Sequence, residues 1–131
     1  MTDELKQQRI YQLTAEIRGL SLTKSYYEKY LNDYVSFKDS VNNLTTTINS
    51  AKESIDDAKA KYKAGGFTDG VDILGQNLTS DISLKLGFIL EDSKVIIKSC
   101  SDKIEEYRVG INNCSNTISA KQSELNSLRY Y

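Results

Sequence analysis

At 131 residues the chain has the length of one domain, and 39% hydrophobic residues without a single proline favour helix over a loop-rich fold. Eighteen acidic residues against 17 basic ones leave a net charge of −1, which argues against the basic face that nucleic-acid binding needs. Histidine is absent, so the usual general base and the commonest metal ligand are missing, and no catalytic residue, metal site or cofactor is expected.

No apolar run approaches the roughly 18 residues of a membrane span. The stretch Met1-Thr2-Asp3-Glu4-Leu5-Lys6-Gln7 is polar and lacks a signal-peptide core. The expected location is the cytoplasm, with export by a route without a cleaved signal left open.

The first arm covers residues 2–63. Ile10, Leu13, Ile17 and Leu20 step by three and four, Lys24 interrupts, and Tyr27, Leu31 and Tyr34 continue. Phe37, Val41, Leu44, Ile48, Ala51, Ile55, Ala58 and Tyr62 then form a second apolar series. Joining the two at Leu31-Tyr34-Phe37 takes two consecutive steps of three, the signature of a stammer. Sixty helical residues span about 90 Å, which predicts a rod. Tyr26 and Tyr30 widen the apolar stripe beyond what one partner helix needs: either their hydroxyls reach water beside the seam, or they form a second packing surface. From Asn42 to Ser50 the arm is rich in asparagine, threonine and serine, so helix propensity is weak and only a thin seam holds it.

Residues 64–70 read as the turn. Gly65-Gly66 supplies left-handed conformations that end a helix, and Thr68-Asp69 caps the next; an exposed Phe67 is a candidate contact.

The second arm covers residues 71–131. Ile97, Cys100, Ile104, Tyr107, Ile111, Cys114, Ile118, Lys121, Leu125 and Leu128 alternate threes and fours, which predicts a helix–helix seam. Folding back at the turn sets Ile111 near Lys24 and Cys114 near Ser21. The two cysteines are about 21 Å apart along one helix and cannot bond to each other, so they read as small core residues of a reducing compartment. Upstream, Leu84, Phe88 and Val95 form a stripe distinct from Leu86, Ile89, Leu90 and Ile97. A helix apolar on more than one side needs more cover than one partner helix provides. That cover is a different chain or a second copy.

Ser21-Leu22-Thr23-Lys24 has Ser-x-x-Lys spacing without the companion motifs of acyl-transfer enzymes, and no Gly-Lys-Ser/Thr follows Gly65-Gly66. An extended hairpin also lacks a concave pocket for a small-molecule substrate. The expected fold is all-α, a single long antiparallel two-helix hairpin over residues 1–131, and a non-enzyme.

A helical hairpin of this length, without proline or histidine and with a central glycine turn, resembles the small helical partners of bacterial type VII secretion. Members of the WXG type are shorter and carry Trp-x-Gly at the turn; here tryptophan is absent and Gly66-Phe67-Thr68-Asp69-Gly70 stands in that place. The closer resemblance is to the YwqH-like, LXG-associated α-helical proteins. It implies an adaptor or targeting chaperone that binds the helical N-terminal LXG domain of a toxin for export, with room for a second small helical partner. Tyr26, Tyr30, Phe37, Leu84, Phe88 and Val95 are the expected contacts. Phe88-Ile89-Leu90-Glu91-Asp92 also matches the Phe-x-x-x-Asp spacing of an export signal in a related class, which makes Phe88 and Asp92 candidates, against a plain packing role for Phe88. The alternatives are a self-assembling structural coiled coil, hence a homodimer, and a secreted WXG-like effector.

Overall fold

The computed structural model describes residues 2–64 and 70–130. They form two helices, α1 (Asp3–Ala64) and α2 (Gly70–Tyr130), which pack against each other as an antiparallel hairpin. The expected all-α hairpin is therefore the fold. Its arms end within a residue of the expected bounds; residues 65–69, with the turn motif and Phe67, lie outside the described residues. Thr2 caps α1: its hydroxyl accepts the Leu5 N–H at 3.2 Å and its carbonyl the Lys6 N–H at 2.9 Å. Asp3 and Glu4 in the first turn, and Lys61 and Lys63 in the last, complement the helix dipole. Among the described residues no helix is long and apolar enough to cross a membrane.

The chain divides into two compact units. The first comprises Met1–Val35 with Asp102–Tyr131. Its seam is the expected one. Leu13 is fully buried, and Ile104, Cys114 and Leu125 are nearly so. With heptad letters, Ile10 and Ile17 take a and Leu13 and Leu20 take d on α1; Ile104 and Ile111 take a and Tyr107 and Cys114 take d on α2. Tyr27 sets the register by lying over Gly110, where an added Cβ would come within 2.9 Å of its ring. Ile111 follows Gly110, so the expected pairing with Lys24 holds to within a turn of helix. Cys114 is a free, buried thiol here, as Cys100 is in the second unit.

The second unit is Ser36–Ser101. Here the expected phase slip does not occur. After Tyr34 the inward positions of α1 are Lys38, Val41, Thr45, Ile48, Lys52, Ile55, Lys59 and Tyr62, an unbroken alternation of fours and threes. Phe37, Leu44 and Ala51, expected in the seam, are exposed instead. The uninterrupted heptad avoids overwinding the helix, because lysine stems cover apolar surface while their ammonium heads reach the rim. On α2 Ile89, which the sequence grouped with Leu86, Leu90 and Ile97, is exposed, and Ser93 is buried.

This seam is thin in carbon yet fully satisfied in hydrogen bonds. Buried Thr79 donates to the carbonyls of Gly75 and Gln76 at 2.9 and 3.0 Å, and buried Ser93 donates to that of Ile89 at 2.9 Å. No buried side-chain polar atom among the described residues lacks a partner. Through the weak Asn42–Ser50 stretch α1 stays continuous. Its hydroxyls turn back onto the helix: Thr45 donates to Val41 O at 2.9 Å, and Thr46, Thr47 and Ser50 to the carbonyls of Asn42, Asn43 and Thr46 at 3.2 Å each. Each such bond occupies a side chain that would otherwise compete for the backbone from outside the helix.

Candidate helical interface

Two flanks border the seam of an antiparallel helix pair: the e positions of both helices on one side and the g positions on the other. In the first unit the g flank is ionic. Arg9 reaches Glu124 through two bonds of 2.8 Å, and Lys121 donates to Glu16 at 2.6 Å. The Lys121 hydrogen bond holds the Glu16 carboxyl below its ordinary pKa, against a smaller opposing effect of desolvation. Arg9 does the same for Glu124. Carboxylates lowered on folding add stability above the unfolded carboxylate pKa and lose it as pH falls through the lowered value. Thermal melts of the protein between neutral pH and about pH 3 should therefore show Tm falling with acid, and the Glu16→Gln/Glu124→Gln variant should show a flatter response. Equal slopes in both proteins would remove these pairs as the cause. The effect should also shrink in high salt, because all four side chains are partly exposed.

In the second unit the e flank is polar. Ser83 donates to Asp56 at 2.6 Å and Lys52 donates to the same carboxylate at 3.0 Å, and together they hold Asp56 below its ordinary pKa. The Lys52 stem passes Gly87 at ordinary contact distance, 3.9 Å from where a Cβ on Gly87 would stand. Beside this network runs an open groove of about 490 Å³ lined by Lys52, Lys59, Ser83, Leu84, Phe88 and Glu91, among others. The g flank is the reverse: Phe37, Leu44, Ala51 and Ala58 on α1, and Ile82, Ile89 and Ile96 on α2. Tyr62 over Gly75, 2.6 Å from an added Cβ, sets the register of this flank.

All six expected contact residues are exposed, and the structure sorts them. Tyr26 and Tyr30 belong to the first unit, and the other four to the second. Tyr30 is only half available, because its ring packs 5.6 Å from that of Tyr107, which also receives Tyr27 at 5.8 Å and Tyr34 at 5.7 Å. Leu84 and Phe88 come together along the groove. Phe88 and Val95, 60% and 66% exposed, fall a heptad apart on the side of α2 turned away from α1. Asp92 is exposed one turn beyond Phe88. Phe37 lies on the g flank. Sequence reasoning missed Leu44, Ile89 and Ile96 as surface residues, and Tyr107 as the hub of the tyrosines. The signal for the first group was a strict seven-residue spacing, Ile82-Ile89-Ile96 against Phe37-Leu44-Ala51.

The class this defines is an antiparallel two-helix hairpin with heptad packing and exposed apolar stripes in one of its units. No known protein family, characterised protein or solved structure matches the chain.

Proposed function

We propose that the protein is a non-enzymatic adaptor that binds the helical N-terminal LXG domain of a toxin and targets it for type VII secretion, from the cytoplasm and with co-export as an option. The observation that supports this reading is the outer stripe of α2, where Leu84, Phe88 and Val95 stand exposed and neither helix among the described residues covers them. Stripes of this kind on a helix are covered by a partner helix through contacts repeating every three to four residues. Tyr26, Tyr30 and Phe37 add aromatic contacts, and Phe88 with Asp92 has the spacing of an export signal.

The test is capture of a co-expressed LXG domain by the full chain. Phe88→Asp with Val95→Asp should weaken capture by roughly 30-fold or more, the scale of central contacts, while circular dichroism of the variant stays that of the parent. Undiminished capture would sink the reading. Loss of helicity would place these residues in the hairpin's own core and sink it equally.

A further inference from the structure

We propose that the g flank of the second unit binds a second copy of this chain, with the two copies running in opposite directions. The proposal stands on this face alone and does not rest on the adaptor reading. Tyr62 packs over Gly75, so Ala58, one turn earlier on the g column, lies beside Gly75. Stepping by seven along both helices then sets Ala51 beside Ile82, Leu44 beside Ile89 and Phe37 beside Ile96. Phe37 and Leu44 are 52% and 54% exposed, and Ile89 and Ile96 are also open to solvent. None of the eight positions is charged. Asn42, Asn49, Asp56 and Lys94 occupy the opposite flank, so the apolar character is one-sided.

Three features select a second copy as the occupant. The first is size. The α1 column tapers from Phe37 and Leu44 to Ala51 and Ala58. A two-fold axis across the helices sets Phe37 of one copy on Ala58 of the other, and Leu44 on Ala51, so large meets small at each step. On α2 the same axis sets Ile82 against Ile89, and Ile96 over Gly75, where the Tyr62 ring fills the place of a side chain. An axis along the helices would stack the large ends together and leave the alanine ends apart. The second is area. The layers from 37 to 58 run for about 32 Å, and two helices side by side are about 20 Å wide. Each copy therefore covers roughly 500–600 Å², which brings the pair to the ~1,000 Å² a specific interface requires. The third is confinement. In the first unit the same columns run through Tyr30, packed on Tyr107, and Lys103, paired with Glu106, to Arg9, Glu16 and Glu124, also engaged in ion pairs, so the fully apolar ladder ends at Phe37 and Ile96.

Sedimentation of the full chain at about 50 µM should give twice the 14.8 kDa chain mass. Leu44→Glu with Ile89→Glu, in the middle of the ladder, should give a monomer of parental helicity, and Asn49→Glu on the other flank should stay dimeric. Oxidation of a Leu44→Cys/Ala51→Cys variant, with Cys100→Ala and Cys114→Ala, should link the two copies through these positions. This cross-link decides the matter if the glutamate pair fails to fold. A helical wild-type monomer, a dimer indifferent to the glutamate pair, or no link between positions 44 and 51 overturns the proposal. Phe88→Asp with Val95→Asp should remain dimeric, and a monomer there would move the interface to the outer stripe and overturn it as well. A monomer that pairs only with an added toxin helix overturns this proposal and leaves the adaptor reading standing.

Discussion

Leu13→Ala is expected to lower the stability of the first unit by about 3 kcal/mol, in the middle of the range for Leu→Ala in a packed core. Leu13 has 0% exposure, the only large side chain with none among the described residues. A two-helix seam has a single line of such side chains, so no second layer moves in to fill the space. Partial closure of the helices over the gap recovers some of the loss, which keeps the expected value below the upper limit of about 5 kcal/mol. Amide exchange reads the effect locally: protection should fall for residues 2–35 and 102–130 and much less for residues 36–101. A loss under about 1 kcal/mol by denaturant titration would mean the seam collapses freely at this layer.

Tyr107→Ala should cost about 2–3 kcal/mol in the same unit. Tyr107 is half-buried, and its ring centroid lies 5.6–5.8 Å from those of Tyr27, Tyr30 and Tyr34. Each tilted aromatic pair contributes about 0.5–1.5 kcal/mol beyond area burial. Removing the hub breaks all three at once, whereas removing Tyr30 breaks one. Tyr30→Ala should therefore cost less than half as much, and the near-ultraviolet dichroism of the tyrosines should collapse only in Tyr107→Ala. Equal costs for the two variants would show that the rings do not act through a common hub. Gly110 belongs to the same arrangement. It stands where any Cβ would meet Tyr27 at 2.9 Å, so a small residue in an exposed-looking helical position is explained by the ring that needs its space.

The seam of the first unit was readable because every inward position of α2 from Ile104 to Leu128 is apolar, with Lys121 the exception. Lys121 keeps its place by reaching Glu16 at the rim. In the second unit the same rule misleads. The inward places of α1 include Lys38, Thr45, Lys52 and Lys59, and hydrophobic pattern alone therefore drew Phe37, Leu44 and Ala51 inward and required a stammer. Hydropathy scores a whole side chain, whereas a lysine divides into an apolar stem and a charged head that occupy different environments. For the candidate surface, the exposure of Leu84, Phe88 and Val95 was legible from their spacing. The apolar g ladder shows in the sequence only as a seven-residue spacing, and that it faces outward appears only once the true phase of α1 is known.

What the sequence determined by itself is the fold: two long helices of heptad rhythm without proline, and a mostly apolar seam that brings residues 104–128 back onto 10–31. Local periodicity suffices for this, since burying one stripe against another leaves little choice of architecture. Tertiary structure alone decided the phase of α1 beyond Tyr34. It also decided which apolar column faces outward, and that Tyr107 gathers Tyr27, Tyr30 and Tyr34 around it. These depend on what stands opposite: Gly87 of α2 lies beside the Lys52 stem, Ser83 meets Asp56, and Gly75 and Gly110 admit tyrosine rings. Complementarity between two surfaces is a property of the pair, and neither helix carries it in its own spacing.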